Sequence, residues 1–300
     1  MPFLGEIAAI GTSICFSIGP TFFTLAGRKT GSVVVNRSRL LIAAVILMGV
    51  HWIMYGSPLP FDAGADRWIW FTLSGVLGLT LGDAALFQAF VMLGPRITML
   101  VFSVSPIFSA IFGWFFFGET TTFYQILAIG LTLGGIAWVT SSKGDELPNN
   151  LDRKSYIKGL FFAFLGAIGQ AVGLFTAKMG LVENYSTISG IVMRMVTAMV
   201  AIWLWTILTK KSKETFQILK ANPTALKFIF IATLIGPITG VWLSLVSVQA
   251  SNLGVASTLQ SLPPIFLLPI SYFVFKEKIN SKAIIGTLLA LIGVGILFLL

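Results

Sequence analysis

Charged side chains are scarce in this sequence, and so are cysteine and histidine. Asp, Glu, Lys and Arg make up 10% of the 300 residues, whereas hydrophobic residues make up 56% and the mean hydropathy is +0.92. A soluble domain needs far more polar surface than this to face water. The composition therefore predicts an integral membrane protein without a soluble domain of ordinary size.

The missing residue types and motifs also limit the chemistry. Cys15 is the one cysteine, so no disulfide forms within the chain, and the one histidine, His51, has no Cys or carboxylate cluster beside it for a metal. The sequence lacks a glycine-rich phosphate loop ending in Lys-Ser or Lys-Thr, and it lacks a Gly-x-Ser-x-Gly nucleophile motif. We therefore expect no cofactor, no metal and no catalytic activity.

Apolar runs of the roughly 20 residues that a spanning helix requires occupy most of the chain. Spans are predicted at 6–26, 34–55, 68–91, 97–117 and 123–141, and then at 157–177, 188–208, 227–249, 254–275 and 282–300. The extended polar stretch at 143–155 is predicted to be a linker between a first five-helix repeat, 1–142, and a second, 156–300. The predicted fold class is an all-α integral membrane protein with ten transmembrane helices.

The two halves match one another at fixed offsets. A shift of 158 residues aligns Gly78 with Gly236, Gly82 with Gly240, Ser103 with Ser261, Pro106 with Pro264, and Glu119 with Glu277; a shift of 155 aligns Arg39 with Arg194. Five helices is an odd number, so the second repeat must enter the membrane in the opposite orientation. Inverted repeats of this kind are typical of secondary transporters, which bind their substrate near the bilayer midplane.

These motifs also carry a family resemblance over both halves. The Gly82-Asp83 run, Pro106 followed by Gly118-Glu119-Thr120, and Pro264 with Lys276-Glu277 resemble EamA-type members of the drug/metabolite transporter superfamily. The resemblance implies ten helices in inverted repeats, a central cavity and transport of metabolites such as amino acids, often outward. The leading hypothesis is therefore a secondary transporter in the cell membrane. Its partners are a small-molecule substrate, the lipid bilayer, and a coupling proton or counter-solute.

Two other function classes stay open. A polytopic membrane enzyme acting on lipid-linked substrates would need a cluster of catalytic polar residues at one interface, and a receptor or scaffold would have a fully packed interior. Nucleic acid is not an expected partner despite the formal charge of +9, because the basic residues form short clusters between apolar runs.

The basic residues also indicate an orientation. All but three of the 20 Lys and Arg residues fall in loops after odd-numbered spans, the exceptions being Arg67, Lys178 and Arg194. The positive-inside rule then places those loops in the cytoplasm and both termini outside. Relatives in the family are instead drawn with both termini inside.

Asp83 is the sharpest candidate for a functional residue, because it lies well inside the third predicted span. A carboxylate there is costly unless it faces a partner or a water-filled cavity. We predict either a contact with the substrate or a coupling proton, or a fixed pair with a basic side chain that locks two helices together. Its repeat mate is Val241, so its role is not duplicated.

Arg39 and Arg194 hold matching positions in the second helix of each repeat. Either guanidinium is able to hold a substrate carboxylate through two parallel hydrogen bonds. The alternative is that the side chain reaches the headgroups or pairs with a nearby acid or carbonyl. We favour this alternative for Arg39, which is close to its helix end, and leave both roles open for Arg194.

Neutral polar residues complete the predicted site. Gln88, Gln170, Gln249 and Gln260 are either substrate contacts or helix–helix hydrogen bonds, and Trp242 and Trp114 are candidates to line a cavity. Pro106, Pro263 and Pro264 are predicted to kink helices near a cavity or gate.

Two further patterns are predicted to be structural. Glu119 and Glu277 precede a helix start and should cap the helix that follows each of them. Four Gly-xxx-Gly pairs have the spacing of closely packed helices: 78 and 82, 130 and 134, 169 and 173, and 236 and 240.

Overall fold

A computed structural model of the protein describes residues 3–120, 122–141, 153–263, 265–266 and 281–299, and these residues are almost entirely helical, with no strand among them. The α-helices are α1 (Leu4–Thr30), α2 (Ser32–Tyr55), α3 (Ala65–Ser74), α4 (Asp83–Phe102), α5 (Ser105–Phe117), α6 (Phe123–Ser141), α7 (Arg153–Gly180), α8 (Thr187–Leu208), α9 (Ser212–Ala221), α10 (Pro223–Thr233), α11 (Val241–Ala250), α12 (Leu253–Gln260) and α13 (Ser281–Leu299). Two π-helical segments, Gly75–Gly82 and Leu234–Gly240, join α3 to α4 and α10 to α11.

Within the described ranges, six helical segments are long and apolar enough to cross a membrane. They are Leu4–Thr30, Ser32–Tyr55, Ala65–Gly94, Arg153–Gly180, Thr187–Leu208 and Pro223–Ala250, and shorter apolar helices occur at Ser105–Phe117, Phe123–Trp138 and Ile284–Gly293. Large apolar side chains such as Ile53, Phe115 and Leu208 are exposed on the outer surface, which suits contact with lipid. The prediction of an all-helical membrane protein is confirmed.

Several helix boundaries differ from the predicted ones. α7 begins at Arg153, so the last three residues of the predicted 143–155 linker are helical, while 143–152 lie outside the described residues. The third predicted span continues to Gly94, where φ is +79° and only glycine is unstrained. The short helix α9 was not predicted; it is amphipathic and basic, with one face against the rest of the chain.

The two π segments lie at equivalent places in the two repeats. Gly78 and Gly82 fall in the first, and their mates Gly236 and Gly240 fall in the second. A π segment releases backbone carbonyls from the regular i to i−4 pattern, and such segments are frequent at functional sites. In the second segment Pro237 lacks an N–H group, which favours the same irregularity.

The fourth span of each repeat breaks at equivalent residues. α4 ends at Phe102 and α5 begins at Ser105 with Pro106 in its first turn; α12 ends at Gln260 and helix resumes at Pro263. The predicted irregularity is therefore present, but Pro106 and Pro263 stand at helix starts, where a missing N–H costs nothing, rather than kinking a continuous helix. Pro264 lies outside the described residues.

The halves pack against each other in matched pairs. α1 packs on α10, the second π segment and α11, while its repeat mate α7 packs on α3, the first π segment and α4. Two further interfaces join equivalent helices, α2 with α8 and α6 with α13, and α5 packs on α12. Every one of these interfaces joins one half to the other, so the space at the centre is bounded by both.

Glycines allow the closest of these approaches. A Cβ atom added at Gly82 would lie 3.0 Å from Cα of Gly169, and one added at Gly78 would lie 3.1 Å from Cα of Gly173. The predicted close packing is thus present between α7 and the first π segment. The prediction of close packing is wrong for Gly130 and Gly134, since no atom of the described residues lies within 4 Å of a Cβ added at either one. The face of α6 that contacts α13 is a different one.

The helix ends form two opposite faces. On the first face, which includes Gly31, Gly94 and residues 209–222, Arg37 at the start of α2 donates from Nη1 to Oγ1 of Thr215 in α9, at 2.9 Å. On the second face, which includes residues 56–64, 118–120, 181–186 and 251–252, Arg67 pairs with Glu183 at 2.9 Å.

Candidate functional site

A cavity lies between the two halves. α1, α2, α4, α7, α8, α11 and both π segments form its walls, so it is enclosed by both repeats. Its lining residues are Phe16, Gly19, Pro20, Phe23, Arg39, Leu79, Asp83, Leu86, Phe87, Phe90, Met99, Phe102, Gln170, Leu174, Arg194, Gly236, Pro237, Val241 and Ser244. Most of this lining is apolar and aromatic, and its charged members are two arginines and one aspartate.

The cavity extends from the middle of the helices toward the first face. Phe23 lies about two turns before α1 ends, and Phe90 lies about one turn before the backbone turns at Gly94. Toward the second face the lining stops at Arg194 and Ser244, each about two turns inside its helix.

Arg39 and Asp83 form an ion pair on the wall of this cavity. Asp83 is the first residue after the π segment, and its carboxylate accepts from Nη2 of Arg39. The same Nη2 donates to the Leu79 carbonyl at 3.1 Å, and Nε donates to Oδ1 of Asn36 at 2.9 Å. The Arg39 guanidinium also lies 4.9 Å from the centre of the Phe87 ring. Asp83 thus forms the predicted pair with a basic side chain, joining α2 to α4, and it lines the cavity.

Arg39 follows one of the two forms of the alternative favoured for it, pairing with an acid and a carbonyl. The side chain is only 2% exposed and points to Asp83 and the π-segment carbonyl, so it does not reach the headgroup region. The partner acid and the released carbonyl make this burial tolerable, since a buried guanidinium needs compensating acceptors. Sequence reasoning anticipated an acid as partner but did not identify which one.

Arg194 lies on the same cavity with a different environment. It is 2% exposed, and its Nε and Nη1 atoms have no hydrogen-bond partner among the described residues. Gly78 and Gly82 of the first π segment approach Gly173 and Gly169 of α7, and we call this contact the glycine crossing. The guanidinium lies beside it, since a Cβ atom added at Gly78 or Gly173 would lie 3.6 Å from Nη2. No ion pair within 4.0 Å joins it to Asp83, whose carboxylate is taken by Arg39. Arg194 is therefore a buried cation with no direct ion pair to Asp83 and with two nitrogens that lack a hydrogen-bond partner in the described part of the chain.

Two of the four predicted glutamines belong to the cavity region. Gln170 lines it directly. Gln260 is 4% exposed and accepts from Oγ of Ser244 at 2.8 Å, and Ser244 itself lines the cavity. Gln260 therefore holds α11 to α12 directly behind the wall, which is the helix–helix role among the two considered.

The other neutral candidates lie away from the cavity. Gln88 accepts from Oγ of Ser32 at 2.6 Å and ties α4 to the start of α2. Gln249 donates to the Tyr185 carbonyl at 2.7 Å and holds the turn after α7. Trp242 is 36% exposed and donates to Oγ1 of Thr187 at 3.1 Å, so its side chain points away from the cavity. The preceding residue, Val241, lines the cavity instead. Trp114 is 64% exposed and lines a shallow lateral groove instead.

Glu119 joins the two halves at the second face and does not cap the helix that follows it. Its Oε1 accepts from Nζ of Lys178 at 2.5 Å, and its Oε2 accepts from the N–H of Leu253, at the start of α12, at 2.8 Å. Nζ of Lys178 also donates to the Ser251 carbonyl at 2.9 Å. We call these contacts the second-face latch. The predicted cap at Glu119 is thus on α12, and Glu277 lies outside the described residues.

Several cavity residues were not singled out from the sequence. Asn36 orients Arg39 from one turn earlier, a spacing that sequence inspection could have found. The aromatic lining and the carbonyl of Leu79 carry no sequence signal, because they depend on the packing of the halves and on the π segment. Among the described residues no group of three or more His, Cys, Asp and Glu side chains comes together for a metal. His51 instead bonds the Ser57 carbonyl and Oγ of Ser189.

Comparisons with known proteins agree with this architecture. One solved crystal structure is similar over 100% of this chain and 98% of its own, with a TM-score of 0.70 and 14% sequence identity, which speaks for the fold alone. No curated protein matches the sequence. A sequence profile of the EamA-like transporter family matches residues 3–141 and again residues 157–299, so both halves carry the signature. The chain belongs to the EamA-like transporter family.

Proposed function

We propose that this protein is a secondary transporter that exports a small metabolite across the cell membrane by alternating access. The single observation that carries the proposal is the cavity between the two repeats, lined by Arg39, Asp83 and Arg194. Charged side chains inside a membrane protein are costly and mark substrate or ion pathways. A scaffold would gain nothing from such a cavity.

We further propose the complete fold as ten transmembrane helices in two inverted five-helix repeats. The matched packing of α1 and α7 on the third span of the opposite half supports this arrangement. So do the equivalent π segments and the equivalent breaks after Phe102 and Gln260. Rocking of one repeat against the other around a fixed central site is the motion that such symmetry favours.

The contacts at the two faces fit one state of such a cycle. The second-face latch joins the loop before α6 to α7 and to the start of α12, so it ties the halves together at that end. The cavity extends toward the first face, which carries the excess of basic loop residues. Under the positive-inside rule this state is open to the cytoplasm, where an exporter loads its substrate.

The decisive experiment uses the purified full-length protein in liposomes. A mixture of radiolabelled metabolites, including amino acids and carboxylic acids, is trapped inside, and their efflux is followed down an imposed gradient. We expect efflux of a subset of solutes at a rate above protein-free liposomes, saturating with concentration. Equal leakage from both preparations for every solute would contradict transport and favour a receptor or scaffold.

The energy source is tested in the same liposomes. We propose that a proton or a counter-solute drives net export, with Asp83 as the site that exchanges the proton. The change Asp83→Asn should then abolish the dependence of efflux on a pH gradient while solute exchange at equal pH continues. An unchanged response to the pH gradient would remove Asp83 from the coupling step.

A further inference from the structure

Arg194 lines the cavity, and two of its hydrogen-bonding nitrogens have no acceptor among the described residues. Nε and Nη1 are buried and find no acceptor in the described part of the chain, although the side chain is 2% exposed. A buried charge without a partner is strongly destabilising unless another anion compensates it. The planar guanidinium offers parallel N–H groups that match a carboxylate.

The repeat symmetry shows where the compensating carboxylate is missing. In the first repeat Asp83 neutralises Arg39, and in the second repeat the position of Asp83 is occupied by Val241. Val241 lines the same cavity as Arg194. Among the described residues, the second half thus has the cation without an equivalent anion, and an anion from outside the chain would complete the pair.

The rest of the cavity lining indicates which other groups the anionic ligand carries. Phe16, Phe23, Phe87, Phe90 and Phe102 line the cavity, so an apolar group bound there would contact aromatic side chains. The Asp83 carboxylate is already engaged by Arg39, so the described lining residues provide no free acid for an ammonium group. Two cations and one anion on its walls also favour a ligand with net negative charge.

We infer that Arg194 binds the carboxylate of an organic monoanion whose apolar body contacts the phenylalanine-lined wall. This inference rests on the proposed transport function and names its substrate class. It selects a monocarboxylate over the corresponding zwitterion, amine or amide.

Binding to the purified protein in detergent tests the inference without transport. Four probes share one ring and chain: 3-phenylpropanoate, 3-phenylpropanamide, phenethylamine and L-phenylalanine, each titrated by calorimetry. We expect 3-phenylpropanoate to bind at least about tenfold more tightly than the other three, since a hydrogen bond to a charged group contributes that much. Equal or tighter binding of the amide, the amine or the amino acid overturns the inference.

Variants then assign the binding to Arg194. Arg194→Gln should weaken 3-phenylpropanoate binding at least about tenfold and abolish the preference over the amide, whereas Arg194→Lys should retain part of it because the charge stays but the planar fork is lost. Arg67→Gln, on the exposed Glu183 pair, is the matched control and should bind as the unchanged protein does. A preference that survives in folded Arg194→Gln overturns the assignment. If that variant does not fold, the probe series on the unchanged protein still decides.

The outcome is distinguishable from failure of the proposed function. Selective binding of 3-phenylpropanoate without its efflux from liposomes would contradict transport and leave the anion site standing. Efflux of amines or neutral solutes, together with no selectivity for the carboxylate, would support transport and overturn the anion site.

Discussion

Arg39 and Arg194 occupy matching positions in the two repeats, and only Arg39 has an acidic partner. Arg39 donates to the Asp83 carboxylate and to Oδ1 of Asn36, while Nε and Nη1 of Arg194 have no hydrogen-bond partner in the described ranges. The difference lies in one repeat position, Asp83 against Val241. The two repeats therefore contribute differently to the cavity: the first contributes the Arg39–Asp83 ion pair, and the second contributes Arg194.

Removing one member of the Arg39–Asp83 pair should cost more than removing both. We expect Asp83→Asn to lower the free energy of unfolding by about 3 kcal/mol, because it leaves a buried guanidinium without its counter-charge. The double variant Asp83→Asn with Arg39→Gln should recover part of that loss. Unfolding in a denaturing detergent series, analysed as a double-mutant cycle, gives the coupling. Strictly additive losses would contradict a direct interaction between the two side chains.

Placing an acid in the second repeat should occupy Arg194 from within the chain. We expect Val241→Asp to abolish 3-phenylpropanoate binding, because a tethered carboxylate at the Asp83-equivalent position competes with the ligand. Val241→Asn introduces a side chain of nearly the same shape as aspartate but without the charge, and this variant should keep measurable binding. Calorimetry on both variants makes the comparison. Retained binding in a folded Val241→Asp variant would contradict the symmetry argument.

The glycine crossing should tolerate no added methyl group. A Cβ atom at Gly169 would lie 2.5 Å from Cα of Gly82, so the helices must separate, and we expect Gly169→Ala to destabilise the protein by about 1–3 kcal/mol. Gly130→Ala is the control, since nothing lies within 4 Å of its added Cβ, and it should be neutral or slightly stabilising. Unfolding midpoints in detergent distinguish the two. Equal stability of both variants would show that the crossing is looser than described.

The second-face latch should keep reagents out of the cavity. In a Cys15→Ser background, Ser244→Cys places one thiol on the cavity wall, where Ser244 is 2% exposed. We expect Lys178→Met combined with Glu119→Gln to speed labelling by a membrane-impermeant thiol reagent added at the second face. The control is Lys213→Met, an exposed basic residue of α9 on the first face. Labelling at the same rate with and without the latch would contradict its role as a closure.

Much of the fold was predictable because bilayer solvation acts on local composition. Apolar runs of span length and the turn residues between them predicted the long helices, and the offset of 158 residues predicted equivalent breaks and glycines in the two halves. Local rules failed where neighbours decide the outcome. Gly130 and Gly134 have the right spacing, but no atom of the described residues lies within 4 Å of a Cβ added at either one. Glu119 caps the distant α12 because packing brings Lys178 and Leu253 beside it.

The sequence by itself determined that this is a helical membrane protein of two related halves, that its charges are few, and that Asp83 has no acidic mate. These properties follow from hydropathy and residue order, which need no contacts. Only the tertiary structure decided that Asp83 pairs with Arg39, that Trp242 lies outside the cavity, and that Nε and Nη1 of Arg194 have no hydrogen-bond partner among the described residues. The reason is physical: whether a buried charge is neutralised depends on which helix faces it, and helix packing places residues that are far apart in the chain within hydrogen-bonding distance.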